Sequence, residues 1–144
     1  MAAIHFFSEE TDFVPAQKMA IRQWLRETAQ EEGFRIGELN YIFCSDEYLL
    51  RINQQYLQHD TLTDIVTFDN SEKADQIAGD VFISIDRVWE NAEKYKVKEE
   101  EELHRVIIHG LLHLCGYGDK GAAEKKKMTE KEDYFLARRR FSSK

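Results

Sequence analysis

An α+β domain is what this sequence predicts, and three observations lead there. The chain has 144 residues, the length of one ordinary domain. Short β-branched and aromatic runs are interspersed with amphipathic helical runs, without strict strand–helix alternation. One long helical stretch, from Glu99 to Leu114, is apolar on nearly every side around its two later histidines (Val106, Ile107, Ile108, Leu111, Leu112 and Leu114) and belongs at the centre of the molecule. Together they predict a mixed sheet of about four strands packed with about five helices, one of them central and buried.

The elements follow in order. Ile4–Phe7 is short, apolar and bounded by Ser8, which suits a strand. Pro15 suits the first turn of a helix, where its missing N–H costs nothing. Met19, Ile21, Trp24, Leu25 and Thr28 recur at roughly helical spacing, and Gly33 is a natural stop. Leu39–Cys44 is rich in aromatic and branched residues and reads as a second strand. Ser45 can cap the next helix, with Asp46 and Glu47 favourable in its first turn and Leu49, Ile52, Asn53 and Tyr56 along one face. A polar break, Asp60–Thr63, separates it from a strand at Ile65–Phe68. A further strand spans Ile77–Ile85, with a bend or bulge expected at Gly79–Asp80. Asp86 is placed to cap a helix through Tyr95. The central helix follows, and a last amphipathic helix runs from about Ala122 to Arg139, with Met128, Phe135 and Leu136 as its apolar stripe.

No internal repeat, low-complexity stretch or linker divides the chain, so residues 1–144 read as a single domain. Hydrophobic residues make up 42% and charged residues 33%, an ordinary globular balance. The two cysteines, Cys44 and Cys115, read as reduced thiols of an intracellular protein. No basic segment leads an apolar run at the N-terminus, and no apolar stretch approaches the ~20 residues a membrane helix needs. The expectation is a cytoplasmic protein with no membrane partner. Net charge is −7, which argues against broad nucleic-acid affinity, but the distribution is uneven. From Lys120 to Lys144 nine Lys and Arg stand against four Asp and Glu. A polyanion would prefer that segment, at Lys125, Lys126 and Lys127 and at Arg138, Arg139 and Arg140. The plainer reading is a solvated helix with a basic face.

The chemistry is concentrated in V-I-I-H-G-L-L-H-L-C-G-Y-G-D-K, residues 106–120. His109 and His113 are four apart, so on a helix they lie about 40° apart in azimuth and can ligate one ion. Two histidines on a buried helix are costly without partners; a metal resolves that cost, and the plainer alternative is two core histidines hydrogen-bonded to backbone. Gly110 is read as clearing a side chain where an ion or substrate approaches. Gly116 ends the helix in a left-handed turn, and Gly118 lets the chain fold back so that Asp119 supplies a third ligand. Three protein ligands with an open position describe a catalytic zinc site, in which bound water can be acidified to a pKa of roughly 7. His104 lies about 140° from His109 and should not face the same ion. Cys115 is read as a small core hydrophobe, and Asp64 as lining the site or bonding backbone at a strand start. There is no nucleophile elbow, no C-x-x-C pair and no phosphate-cradling glycine loop, so no nucleotide cofactor is expected.

Beyond these local readings, the chain resembles the YbeY-type metal-dependent endoribonucleases. His109, Gly110, Leu112, His113, Leu114, Gly116 and Tyr117 match the family signature H-G-x-L-H-L-x-G-Y-D-H. Asn53 and Tyr56 precede T-D-I-V-T-F, which resembles the family's T-D-V-L-S-F. Gly79-Asp80-Val81 is similar to its G-D-I, and Met128 and Glu132 fit its C-terminal helix. The resemblance implies cleavage of single-stranded RNA in rRNA 3′-end maturation and ribosome quality control, with RNA and the ribosome as partners and a zinc ion or another divalent transition metal as cofactor. Two departures stand out. Asp119 replaces the third histidine of the signature, a legitimate zinc ligand that also favours harder ions. Leu57 stands where the family carries an arginine, removing a phosphate-binding fork; His59, two residues on, is read first as a surface-loop histidine and only second as a partial substitute. No side chain is therefore assigned as catalytic; that role falls to metal-bound water. Two rival readings stay open: a metal-dependent hydrolase of another substrate, such as a peptide, and a non-catalytic ribosome- or RNA-binding module with a structural metal. The oligomeric state is open as well.

Overall fold

The computed structural model describes residues 3–57 and 63–141. Its elements are β1 (Ala3–Glu9), α1 (Lys18–Glu31), β2 (Arg35–Cys44), α2 (Asp46–Leu57), β3 (Ile65–Asp69), β4 (Gln76–Ser84), α3 (Ile85–Tyr95), α4 (Glu99–Leu114) and α5 (Gly121–Ala137). The four strands form one sheet in the order β1-β2-β4-β3. β1 and β4 run parallel to β2, and β3 runs antiparallel to β4. This is the mixed α+β architecture that the sequence predicts.

Alternation along the strands sends Ile4, Leu39, Tyr41, Phe43, Val81 and Ile83 into one core, shared with α1, α3, α4 and α5. The opposite sheet face carries a smaller cluster under α2, built on Cys44, Leu49 and Val66. α4 is the hub. Val106, Ile107, Ile108, Leu111 and Leu112 are buried on it, and the fully buried phenol of Tyr41 donates to the Ile107 carbonyl at 2.8 Å. Four glutamates, Glu99 to Glu102, open the helix, where negative charge suits the helix dipole.

Several boundaries differ from expectation for local reasons. α1 begins three residues after Pro15, because Gln17 takes a left-handed conformation at the N-cap. Ser84, not Asp86, caps α3 by accepting the Arg87 N–H at 3.2 Å. Asp86 accepts the N–H of Asp46 instead, at the start of α2, beside the cap expected from Ser45. The expected bulge at Gly79–Asp80 lies on the neighbouring strand, where the β2–β4 register shifts between Ile36 and Leu39. Gly79 is needed for a different reason: a Cβ there would collide with the Phe68 carbonyl. Of the polar break after α2, only Thr63 falls within the described residues; His59 lies outside them.

Both cysteines are free thiols. Burial pushes each of them up to about 12, so neither is a reactive thiolate. Among the described residues no helix is long and apolar enough to cross a membrane.

Candidate metal centre

α4 is sealed by neighbours except along one stripe. Arg105, His109 and His113 recur every four residues, are only partly buried, and face a cavity of about 280 Å³. The helix then stops sharply. Gly116 has φ of +107°, its N–H bonds the His113 carbonyl, and the Tyr117 N–H bonds the Leu112 carbonyl. This paired closure turns the chain back across the last turn of the helix. The turn is anchored from outside, because the Tyr117 hydroxyl donates to Glu32 at the end of α1, as does Lys131 of α5. Beyond it the chain passes the stripe again at Asp119.

Three side chains meet there. Asp119 Oδ2 lies 3.5 Å from His109 Nε2 and 3.4 Å from His113 Nε2. The ligand atoms of all three lie within 4.8 Å of one another. The far side of each imidazole is already engaged. His109 Nδ1 donates to Glu132 Oε2 at 2.5 Å, and His113 Nδ1 donates to the Tyr117 carbonyl at 2.9 Å. A carboxylate and a carbonyl can only accept, so both rings carry their proton on Nδ1 and turn Nε2 toward Asp119.

That donor set fits a divalent ion. At zinc–ligand distances of roughly 2.0–2.1 Å, two ligands of a tetrahedral site stand about 3.3 Å apart. The Asp119 separations from both imidazoles sit close to this. Two neutral nitrogens and one carboxylate would supply three ligands at the edge of the cavity, the number an open site uses.

The cavity wall is acidic. Asp64 and Thr63, at the entry to β3, face Glu102 and Arg105 on α4 across it. Burial raises the Asp64 carboxyl above its ordinary range, against the pull of His109. Burial, with the charge of Asp64 next in weight, lifts Glu102 to about 7. For His109, burial opposes the charged ring, but the hydrogen bond and charge of Glu132, joined by Asp64 and Asp119, outweigh it and raise its pKa. Arg105 is the guanidinium on this wall. Its two terminal nitrogens bond Glu132 at 2.7 Å and Asp133 at 2.6 Å.

Gly110, although next to His109, does not face the ligand cluster. It faces the sheet, where a Cβ would stand 2.8 Å from Val81 Cγ1 and 3.1 Å from Ile65 Cδ1, so its missing side chain lets α4 sit close on β3 and β4. At Gly118 the space is filled by the Glu124 carboxylate, which accepts the Lys120 N–H. His104 is turned away from the cavity, as its azimuth predicts. It is buried beside Trp24 and Phe141, accepts from Arg139 at 2.7 Å, and burial lowers it to about 4. Asp64 lines the cavity, and its backbone carbonyl accepts the Ser84 N–H at 3.0 Å. Leu57 ends α2 and is partly exposed.

The basic residues do not form one cluster. Lys125, Lys126 and Lys127 are exposed along α5. Arg138 pairs with Glu31, and Arg140 with Glu27, beside a separate groove between α1 and the end of α5. Arg139 differs from its two neighbours. It is turned inward onto Glu101, His104 and the Leu136 carbonyl, so it holds α5 to α4 and has no guanidinium face to offer a phosphate.

Arg105, Glu102 and the His109 partnership of Glu132 were not assigned from sequence. For the first two a signal exists, since Arg105 and Glu102 lie four and seven residues before His109 and so share its face of the helix.

The sequence model described as Endoribonuclease YbeY matches residues 4–140 of the chain. An Endoribonuclease YbeY of Cytophaga hutchinsonii is 54% identical over 138 residues, covering 96% of both chains. One from Parabacteroides distasonis is 48% identical and covers 94% of both. Among solved structures, the solution structure of TM1509 from Thermotoga maritima superposes with a TM-score of 0.65 at 28% identity, covering 92% of this chain and 86% of that one. With a family match across nearly the whole length and the His109–His113–Asp119 geometry at its signature, this chain belongs to the Endoribonuclease YbeY family.

Proposed function

We propose that this chain is a metal-dependent endoribonuclease of the cytoplasm that cuts single-stranded RNA in rRNA 3′-end maturation and ribosome quality control. One observation carries the reading: His109 Nε2, His113 Nε2 and Asp119 Oδ2 converge, with both Nδ1 protons already committed, beside an open cavity. The relatives' name adds the substrate class, and the resemblance supplies the pathway.

One zinc ion per chain, or another divalent transition metal, would be held by these three residues. An ion bound there would supply Lewis-acid chemistry toward a phosphoryl oxygen or a water. The chain's own contribution is to orient and to handle protons. The Tyr117 carbonyl and Glu132 keep both imidazoles in the ligating tautomer. Glu102, lifted to about 7, can hold or release a proton at neutral pH on the cavity wall. Arg105 offsets part of the negative charge of the wall by pairing with Glu132 and Asp133.

The decisive experiment measures metal content and RNA cleavage together, on protein purified without a histidine tag. Wild type should carry near-stoichiometric metal and cut a labelled single-stranded RNA, with activity abolished by chelator. His113→Ala and Asp119→Ala should lose both. Metal-free wild type that folds normally and stays empty after zinc addition and dialysis overturns the reading.

A second reading is favoured by Leu57 and Asp119, the two departures from the family pattern. In it the metal is structural and the chain binds RNA without cutting it. RNA binding with stoichiometric metal and no metal-sensitive turnover would select that module. Chelator-sensitive cleavage of peptides instead of RNA would select another hydrolase.

A further inference from the structure

We propose that Glu132, held by Arg105, is a positioning residue for the metal: it fixes His109 as an Nε2 donor and backs it with negative charge. The inference rests on the metal reading above and goes beyond its three ligands.

The two histidines are set by unlike devices. His113 leans on a neutral backbone carbonyl one turn away, at Tyr117. His109 leans on a carboxylate from another helix, 23 residues along the chain. Glu132 is 7% exposed, on a helix whose other buried residues are Met128, Phe135 and Leu136. An ionised carboxylate in that position is expensive unless every oxygen is satisfied. Both of its oxygens are: Oε2 takes the His109 Nδ1–H, and Oε1 takes Arg105 at 2.7 Å. Arg105 is in turn steadied by Asp133 at 2.6 Å. The chain Asp133–Arg105–Glu132–His109 therefore runs from the surface of α5 to the open cavity.

A simple staple between α4 and α5 does not require Glu132, because the exposed pair Arg105–Asp133 already supplies one. What Glu132 adds is directed at the imidazole. A carboxylate behind a ligating histidine fixes ring orientation and tautomer and strengthens the ring as a donor. It also completes the charge. Two neutral imidazoles and Asp119 offer a divalent ion one negative charge, and Glu132 places a second immediately behind His109.

The test is zinc affinity, measured by competition with a chromophoric chelator, in wild type, Glu132→Gln and Arg105→Met. Glutamine keeps the volume but offers one oxygen for two donors, so either His109 or Arg105 is left facing an amide N–H. Glu132→Gln should bind zinc roughly 10–100-fold more weakly, the usual cost of losing an outer-shell partner. Arg105→Met should weaken it too, by less. The visible band of the cobalt-loaded protein should shift in Glu132→Gln, which loss of a mere staple would not cause. Folded Glu132→Gln with wild-type zinc affinity and an unshifted band overturns the proposal. Should Glu132→Gln fail to fold, Arg105→Met decides, and wild-type affinity there overturns it equally. Wild type that takes up neither zinc nor cobalt fails one step earlier, at the metal site itself.

Discussion

Gly110 stands next to a candidate ligand, yet its backbone faces the sheet, and that orientation makes a sharp prediction. Alanine there would put a methyl 2.8 Å from Val81 Cγ1 and 3.1 Å from Ile65 Cδ1, where ordinary carbon contacts are about 3.5–4.0 Å. Val81 is completely buried and paired on both sides within the sheet, so it cannot yield freely. Ile65, on the edge strand and only half-buried, can yield more. Overpacking of this kind costs about 1–3 kcal/mol. Helix propensity returns about 1 kcal/mol, because alanine replaces glycine inside a helix. Because Val81 cannot yield, the upper part of that range applies, about 2–3 kcal/mol, and the net loss should be about 1–2 kcal/mol, or a fall of roughly 3–6 °C in Tm for a chain of this size. Equilibrium urea unfolding of the metal-free protein is the assay: the midpoint should drop with m unchanged. Zinc stoichiometry at saturation should stay at the wild-type value. An unchanged midpoint together with abolished metal binding would refute the packing argument and restore Gly110 to the ion's approach path.

Two further outcomes follow from the charges around the cavity and along α5. Glu102 titrates at about 7 when folded against an ordinary 4.5, so the unfolded chain gives up that proton more readily. Its contribution to stability is fully present below about pH 4.5 and is lost as pH rises through 7, up to about 3 kcal/mol. Glu102→Gln should therefore stabilise the chelator-treated protein at pH 8 and leave it nearly unchanged at pH 4.5; equal urea midpoint shifts at both values would contradict this. On α5, replacing Lys125, Lys126 and Lys127 by alanine should flatten the salt dependence of RNA binding, the slope falling by about 0.7 for each single-strand phosphate that is no longer neutralised. An unchanged slope would take these lysines out of the RNA path.

What the sequence could disclose here was governed by distance along the chain. The i, i+4 arithmetic that pairs His109 with His113 is local, as is the glycine that ends α4, and Asp119 follows once the chain is known to fold back at Gly116. Caps were legible to within a residue or two, failing where a carboxylate such as Asp86 serves a neighbouring helix in place of its own. What stayed hidden is every partnership between elements. The four-residue spacing places Arg105 on the face of His109, but nothing local says that its guanidinium grips α5 while Lys125 stays exposed. Arg139 looked like one third of a basic run, but burial against His104 and Glu101 consumes it. Glu132 is the clearest case. A carboxylate on the buried stripe of an amphipathic helix announces that a partner must exist, because its desolvation is otherwise too costly. It does not say which partner, and His109 lies 23 residues away on another helix. A charged residue that breaks an apolar stripe is thus a pointer to an unseen partner, and in this chain following it leads from α5 directly to the candidate metal centre.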